Sequence, residues 1–282
     1  MNLHVRIPSV TGTAMTSAAV TAARESAHCF GDGLVGVLTR PRTERDNPVA
    51  VVLLNAGLVH RVGPFRGYVQ LARVLADQGC AVLRFDQSGL GDSPLCAVAS
   101  GQRRQREVDA GMALLAAETG ADRFVLAGIC SGADDAFHVA VDDARVAGIV
   151  LLDGLAYRTW GYWLHHLLPR LLDPGRLWRR LRQPRVRKPA AGNFRDFPGR
   201  ADAVKHMAAL VARDVRMLFL FTGGAYGYFN HPRQLVACLG RAARSPAVAL
   251  EHWPDCDHTF YLRRDRVRLQ QAVAAWMRGQ FG

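Results

Sequence analysis

Residues 124–132 read Phe124-Val125-Leu126-Ala127-Gly128-Ile129-Cys130-Ser131-Gly132. The first six carry no polar side chain, as expected of a strand buried on both faces of a sheet. A helix is expected from near Gly132 to about Asp142. Between strand and helix stands a reactive side chain with glycines two positions away on either side. A strand that turns directly into a helix must bend sharply at the central residue, and its neighbours at that spacing must then lack bulk. The central side chain points into a cleft at the helix N-terminus. There the helix dipole favours a thiolate, and backbone amides can hold an oxyanion. Cys130 is therefore the candidate nucleophile. Ser131 is the alternative, but its own flanks at two positions are Ile129 and Ala133, which do not give this frame. Ser131 is expected instead to supply an oxyanion-hole N–H, being the residue after the nucleophile. The competing structural reading is that Cys130 merely packs at a strand end.

Outward from this turn, strand-like and helix-like segments alternate, which predicts α/β with a mostly parallel sheet. VAVVLLN (49–55), AVLRFD (81–86) and VAGIVLLD (146–153) are further strands, and SAHCF (26–30) and LVGVLTR (34–40) flank a hairpin-like Gly31-Asp32-Gly33. FRGYVQLARVLADQG (65–79) and a segment around 105–118 have helical character. From 154 to about 212 the alternation breaks into aromatics, prolines and arginines, and this stretch is read as a helical cap inserted over the sheet. Alternation resumes with VRMLFLFTGG (215–224), a helix near 232–243, AVALEHW (247–253) and a last helix over 264–281. Residues 1–25, rich in Ala, Thr and Ser, read as a flexible N-terminal extension, and 26–282 as one domain.

Composition narrows the possibilities. With 282 residues, 49% of them hydrophobic and 21% charged, the chain can build one large core. No apolar run is long enough to span a membrane, and no secretory leader is visible, so a reduced, cytoplasmic protein is expected. The six cysteines form neither CxxC pairs nor zinc-like clusters with histidine, so no metal or other cofactor is expected, and five of them read as small buried residues. The net charge of +12 fits an Arg-rich composition, an acidic partner, a phosphate-bearing substrate or an anionic membrane. No nucleic-acid motif is present.

The Gly128-Ile129-Cys130-Ser131-Gly132 turn resembles the nucleophile turn of the α/β-hydrolase superfamily, with cysteine where serine is usual. Three further segments carry the resemblance, which spans about 26–282 and covers the cap only weakly. Asn55-Ala56-Gly57-Leu58 follows the third strand, where family members often have His-Gly-x and donate a second oxyanion N–H; the resemblance gives that role to Leu58. Phe85-Asp86-Gln87-Ser88-Gly89-Leu90-Gly91-Asp92-Ser93 resembles a turn that is usually structural. Asp255-Cys256-Asp257-His258 lies where the family keeps its catalytic histidine, which makes His258 the general base. His252 is a rival, but it sits within a strand pattern. The usual site of the triad acid, after the seventh strand, reads TGGAYGYFN (222–230) and has no carboxylate. Several carrier-protein thioesterases place that acid after the sixth strand, so the resemblance permits Asp153; a capping role is its alternative. Asp257 is too near His258 in sequence, and Asp134 and Asp135 suit a helix first turn for dipole reasons alone. NAGLVHRVGP and GICSGAD look like a bacterial group that includes exosortase-associated hydrolases. Cysteine at the turn also occurs in dienelactone hydrolases and some thioesterases.

An attacking Cys130 forms an acyl-enzyme, which implies an acyl thioester, ester or lactone as substrate. His60, in the oxyanion loop, is a candidate substrate contact. In the cap, Trp160, Tyr162, Trp163, Leu164, Leu167, Leu168, Leu171, Leu172, Leu177 and Trp178 either line an acyl channel or bury the cap on the body. Trp160 and Trp163 are its substrate-binding candidates. Arg170, Arg176, Arg179, Arg180, Arg182, Arg185, Arg187 and Lys188 suit an acidic acyl carrier protein or coenzyme A, or else a solvated face. A thioesterase is expected. Acyl transfer or cyclisation, a membrane-surface accessory hydrolase of an export system, and a non-catalytic scaffold stay open.

Overall fold

The computed structural model describes residues 24–42, 49–171 and 195–282. Eight strands form one sheet in the order β1-β2-β4-β3-β5-β6-β7-β8: β1 Arg24–Phe30, β2 Leu34–Arg40, β3 Val49–Leu54, β4 Val82–Phe85, β5 Arg123–Ile129, β6 Val146–Leu152, β7 Arg216–Thr222 and β8 Val248–Trp253. β1 and β2 form the expected hairpin, β2 joins β4 antiparallel, and every pairing from β4 through β3 to β8 is parallel. Among the described residues the helices are α1 Gly67–Ala76, α2 Ser100–Thr119, α3 Ser131–Asp142, α4 Trp160–Leu171, α5 Arg200–Ala212, α6 Gln234–Leu239 and α7 Arg263–Phe281.

The continuous apolar strands follow from burial on both faces. In β3, Ala50, Val52 and Leu54 enter one core with α2, α3 and α5, while Val49, Val51 and Leu53 enter a second core with α1 and α7. β5 divides in the same way, Phe124 and Leu126 against Val125, Ala127 and Ile129. With no face left to solvent, polar side chains have no place in these strands.

Three boundaries differ from the sequence reading. β1 begins at Arg24, and Glu25 pairs with Arg73 and Arg84, so the sheet already includes residues assigned to the extension. The inserted segment is shorter than 154–212: Ala203, Met207 and Leu210 of α5 are fully buried in the body's core, making α5 the crossover helix between β6 and β7. The helix foreseen near 232–243 is confined to Gln234–Leu239, because Gly240 at φ 78° ends it and Arg241–Arg244 forms a separate 3₁₀ turn. Among the described residues no helix is long and apolar enough to cross a membrane. None of the six cysteines is in a disulfide; Cys80, Cys238 and Cys256 are buried as expected, whereas Cys29 is exposed and Cys96 half-buried.

Candidate active site

Cys130 sits at the junction of β5 and α3 with φ 58° and ψ −117°. A non-glycine residue adopts this region only when its surroundings hold it there. Here the Cys130 N–H donates to Leu152 O at 2.8 Å, and Cys130 O accepts from Ala133 N and Asp134 N. Tyr68, buried beneath, donates its hydroxyl proton to Leu54 O at 2.9 Å and accepts from Ile129 N at 3.0 Å, tying the nucleophile strand to β3. The flanking glycines answer to close backbone approach. A Cβ on Gly132 would stand 2.5 Å from Asn55 O, and one on Gly128 would stand 2.7 Å from Ala133 N.

His258 follows β8, and its Nδ1 lies 2.6 Å from Asp153 Oδ2. Asp153 ends β6 with φ 49° and is fully buried. Its Oδ1 accepts from Thr222 N and its Oδ2 from Thr222 Oγ1, both at 2.6 Å. Thr222 thus occupies the end of β7, where a carboxylate was missing from the sequence, and orients the carboxylate that comes from β6. Gly224 leaves room for His258, since a Cβ there would lie 2.9 Å from the histidine's Cα and backbone N. The hydrogen bond to Asp153, and then the interaction with the Cys130 thiol, push the imidazole up to about 9, against the effect of burial. Burial alone would raise the Cys130 thiol; the nearby His258 imidazole, the Arg195 and His258 charges and the Ser131 backbone N–H hold it below its ordinary value. His252, the rival base, packs edge-on against Phe229 at 5.5 Å, and burial lowers its imidazole.

The Ser131 hydroxyl does not join Cys130 and His258. Its Oγ accepts from Gly57 N at 2.7 Å, while its backbone N–H lowers the Cys130 thiol. The facing loop is shaped by Asn55, which donates to Val59 O at 3.0 Å and accepts from Gln87 N at 2.8 Å. Among the described residues nothing accepts the Leu58 N–H, and the Leu58 side chain is exposed. Asp86 is structural: fully buried, it accepts from Arg61 N at 2.6 Å and pairs with the Arg61 guanidinium.

Other sequence candidates lie elsewhere. His60 is exposed, and among the described residues no hydrogen bond ties its ring to the site. Trp160 is 85% exposed and Trp163 42% exposed; with Leu164 and Leu167 they form an outward stripe on α4, while Tyr162 on the same helix is buried. None of them lines the cavity of about 570 Å³ beside Ser131. That cavity is bordered by Leu58, Gln87, Leu95, Arg104, Asp135 and Arg195 and is largely polar. The side chains of Leu168, Arg170 and Leu171, and residues 172–194 with the remaining cap arginines, lie outside the described residues.

Arg195 escaped the sequence reading. Its Nε and Nη2 donate to Asp134 at 2.6 and 3.0 Å, and its Nη1 faces Cys130 Sγ at 3.6 Å and Tyr228 Oη at 3.3 Å. The guanidinium lies 4.5 Å from the Phe197 ring centroid and 5.4 Å from that of Tyr228. Tyr228 donates to Asp153 O at 2.7 Å. Asp135 pairs with Arg104 at 3.0 Å and accepts from Gln87 Nε2. The two aspartates therefore do more than complement a helix dipole. One arginine in a chain with 36 Lys and Arg residues carries no sequence signal that sets it apart.

The sheet order, the tight turn after β5 and the placement of His258 after β8 define the α/β-hydrolase fold. A serine hydrolase of Xanthomonas campestris, described as lacking a lid, superposes with a TM-score of 0.55 at 16% identity over 92% of this chain and 95% of its own. An esterase of Pyrococcus furiosus (TM-score 0.60, 13% identity, 92% and 91% covered) and a thermostable carboxyl esterase of Bacillus coagulans (0.60, 13%, 92% and 99%) are similarly related in fold. No family model matches the sequence, and no curated protein matches it.

Proposed function

We propose that this chain is a cysteine hydrolase that cleaves acyl thioesters or esters through an acyl-enzyme on Cys130. The observation that carries the reading is the grouping of Cys130, His258 and Asp153: His258 Nδ1 lies 2.6 Å from Asp153 Oδ2, the imidazole and the Cys130 thiol perturb one another's titration, and the adjacent Ser131 hydroxyl is turned to Gly57. The Cys130 sulfur attacks the acyl carbon, forming an S–C bond, and the carbonyl electron pair moves to oxygen. The N–H groups of Ser131 and Leu58 hold that oxyanion. As it collapses, the leaving thiol or alcohol departs with the proton carried by His258. Water then attacks the acyl-enzyme, gives its proton to His258, and the Cys130–acyl bond breaks to release the acid. Asp153 keeps the imidazole oriented and stabilises its cationic form.

A thioester on an acidic carrier protein or coenzyme A is the favoured substrate class. The arginines of 170–187 and Arg103 and Arg104 beside the cavity support it by charge. Intact-mass measurement against a panel of acyl-coenzyme A and acyl-carrier thioesters tests the reading. A mass gain located on Cys130, lost in Cys130→Ala, is expected. A panel that acylates Ser131 or no residue would sink it.

One observation favours a second setting, at a membrane surface. Trp160, Trp163, Leu164 and Leu167 recur at helical spacing on an exposed face of α4, the pattern of an interfacial helix. Sedimentation with anionic vesicles, lost in Trp160→Ser/Trp163→Ser, would support that setting; no sedimentation would remove it.

A further inference from the structure

We propose that Arg195, aimed by Asp134, is a second cation for the Cys130 sulfur and keeps the nucleophile as a thiolate before substrate arrives. The proposal rests on the reading of Cys130 as the nucleophile and adds a residue that no triad requires. Its basis is directional. Asp134 takes the Nε–Nη2 edge of the guanidinium through two hydrogen bonds of 2.6 and 3.0 Å, and leaves the Nη1 end to Cys130 Sγ at 3.6 Å. An ion pair bound along one edge presents its positive end to the sulfur. The Phe197 and Tyr228 rings hold the guanidinium plane at 4.5 and 5.4 Å, so the cation does not need to be ordered when substrate binds.

The groups facing the sulfur come from several elements. His258 follows β8; Arg195 and Tyr228 belong to the segments before α5 and after β7; the Ser131 N–H opens α3; and the Tyr68 hydroxyl stands beneath, on α1. Asp134 is one turn along α3 and only 1% exposed at its side chain. Burial pushes its carboxyl up against the pull of Arg195. Two cations and a helix N-terminus converge on one sulfur. This environment suits a thiolate, whereas a serine hydroxyl at the same turn would remain protonated and gain little from Arg195. No atom of Arg195 is transferred in the reaction: when the sulfur bonds to the acyl carbon its negative charge passes to the oxyanion, and Arg195 keeps its proton throughout.

The test reads the thiol itself, independently of any substrate. The rate of Cys130 alkylation by iodoacetamide is followed from pH 4 to 10 in the full chain, with the modified peptide identified by mass to separate it from Cys29 and Cys96. The wild type should react with a midpoint below that of an ordinary thiol. Arg195→Gln should move the midpoint upward by about one pH unit, which lowers the rate roughly tenfold on the acid side. Arg195→Lys should recover part of the shift, and negatively charged iodoacetate should lose more rate than iodoacetamide in Arg195→Gln. Asp134→Asn should change the midpoint while the thermal transition reports any loss of folding. An unchanged midpoint in folded Arg195→Gln overturns the proposal and leaves the nucleophile reading intact. An ordinary thiol midpoint in the wild type, unaffected by His258→Gln, overturns both.

Discussion

The Ser131 hydroxyl accepts the backbone N–H of Gly57 at 2.7 Å, joining the start of α3 to the loop after β3 across 74 residues of sequence. This bond links the two backbone arms proposed to hold the oxyanion, and it engages the hydroxyl oxygen next to Cys130. Ser131→Ala keeps its own N–H but frees the Gly57 arm. A net hydrogen bond is worth about 0.5–1.5 kcal/mol, so turnover should fall by no more than about tenfold. Cys130→Ala should be inactive, and Cys130→Ser at most weakly active. Steady-state kinetics on a small thioester compare the three; a dead Ser131→Ala beside an active Cys130→Ala would reverse the assignment.

In the proposed mechanism Asp153 is expected to set both the rate and the alkaline limit. Its negative charge favours the imidazolium of His258, which is raised to about 9. The thiol is held below its ordinary value and the imidazole is raised to about 9, so kcat/KM should fall on the alkaline side as the imidazolium is lost near pH 9. Asp153→Asn removes the charge, which lowers the histidine's value and moves the alkaline limb to lower pH. The rate should drop by ~10²–10⁴, as for triad acids elsewhere. A pH profile whose alkaline limb stays in place in Asp153→Asn would exclude this role.

Thr222 is the support of that acid. Thr222→Val keeps the side-chain shape and deletes the donor to Asp153 Oδ2, now 2.6 Å away. A buried carboxylate short of one donor costs about 1–3 kcal/mol. Urea unfolding should register that loss together with a lower kcat, and Thr222→Ser should restore both. Wild-type stability in Thr222→Val would show that the hydroxyl bond is dispensable.

Gly132 is required by space. A Cβ at 2.5 Å from Asn55 O and 2.7 Å from Leu54 O has backbone on both counts and no flexible side chain to displace. Gly132→Ala should therefore push the oxyanion loop away, costing about 1–3 kcal/mol and lowering activity more than Ser131→Ala does. Thermal melting and kinetics together check this; a variant equal to the wild type in both would contradict the packing argument.

The sequence by itself determined the fold and the candidate nucleophile's setting. Runs such as VAVVLL and FVLAGI have no polar position because both sheet faces are buried, and the glycines around Cys130 report a turn where backbone meets backbone. These signals are local, written within six or seven residues. The pairing of Asp153 with His258 was legible only through the resemblance to enzymes that place an acid after the sixth strand; the coordinates put the two side chains 2.6 Å apart across 105 residues. Thr222, Tyr68 and Tyr228 gave no signal, since a threonine ending a strand or a tyrosine on a helix is ordinary until its hydroxyl's partner is known. The cap aromatics pointed the other way: helical spacing of Trp160, Trp163, Leu164 and Leu167 identifies a face but not what that face meets, and it meets solvent. Only the tertiary structure could single out Arg195 from the chain's many arginines. Its value to the site lies in a direction, Nη1 toward Cys130 Sγ with Asp134 behind, and direction between segments 65 residues apart is fixed by packing and not by composition or periodicity.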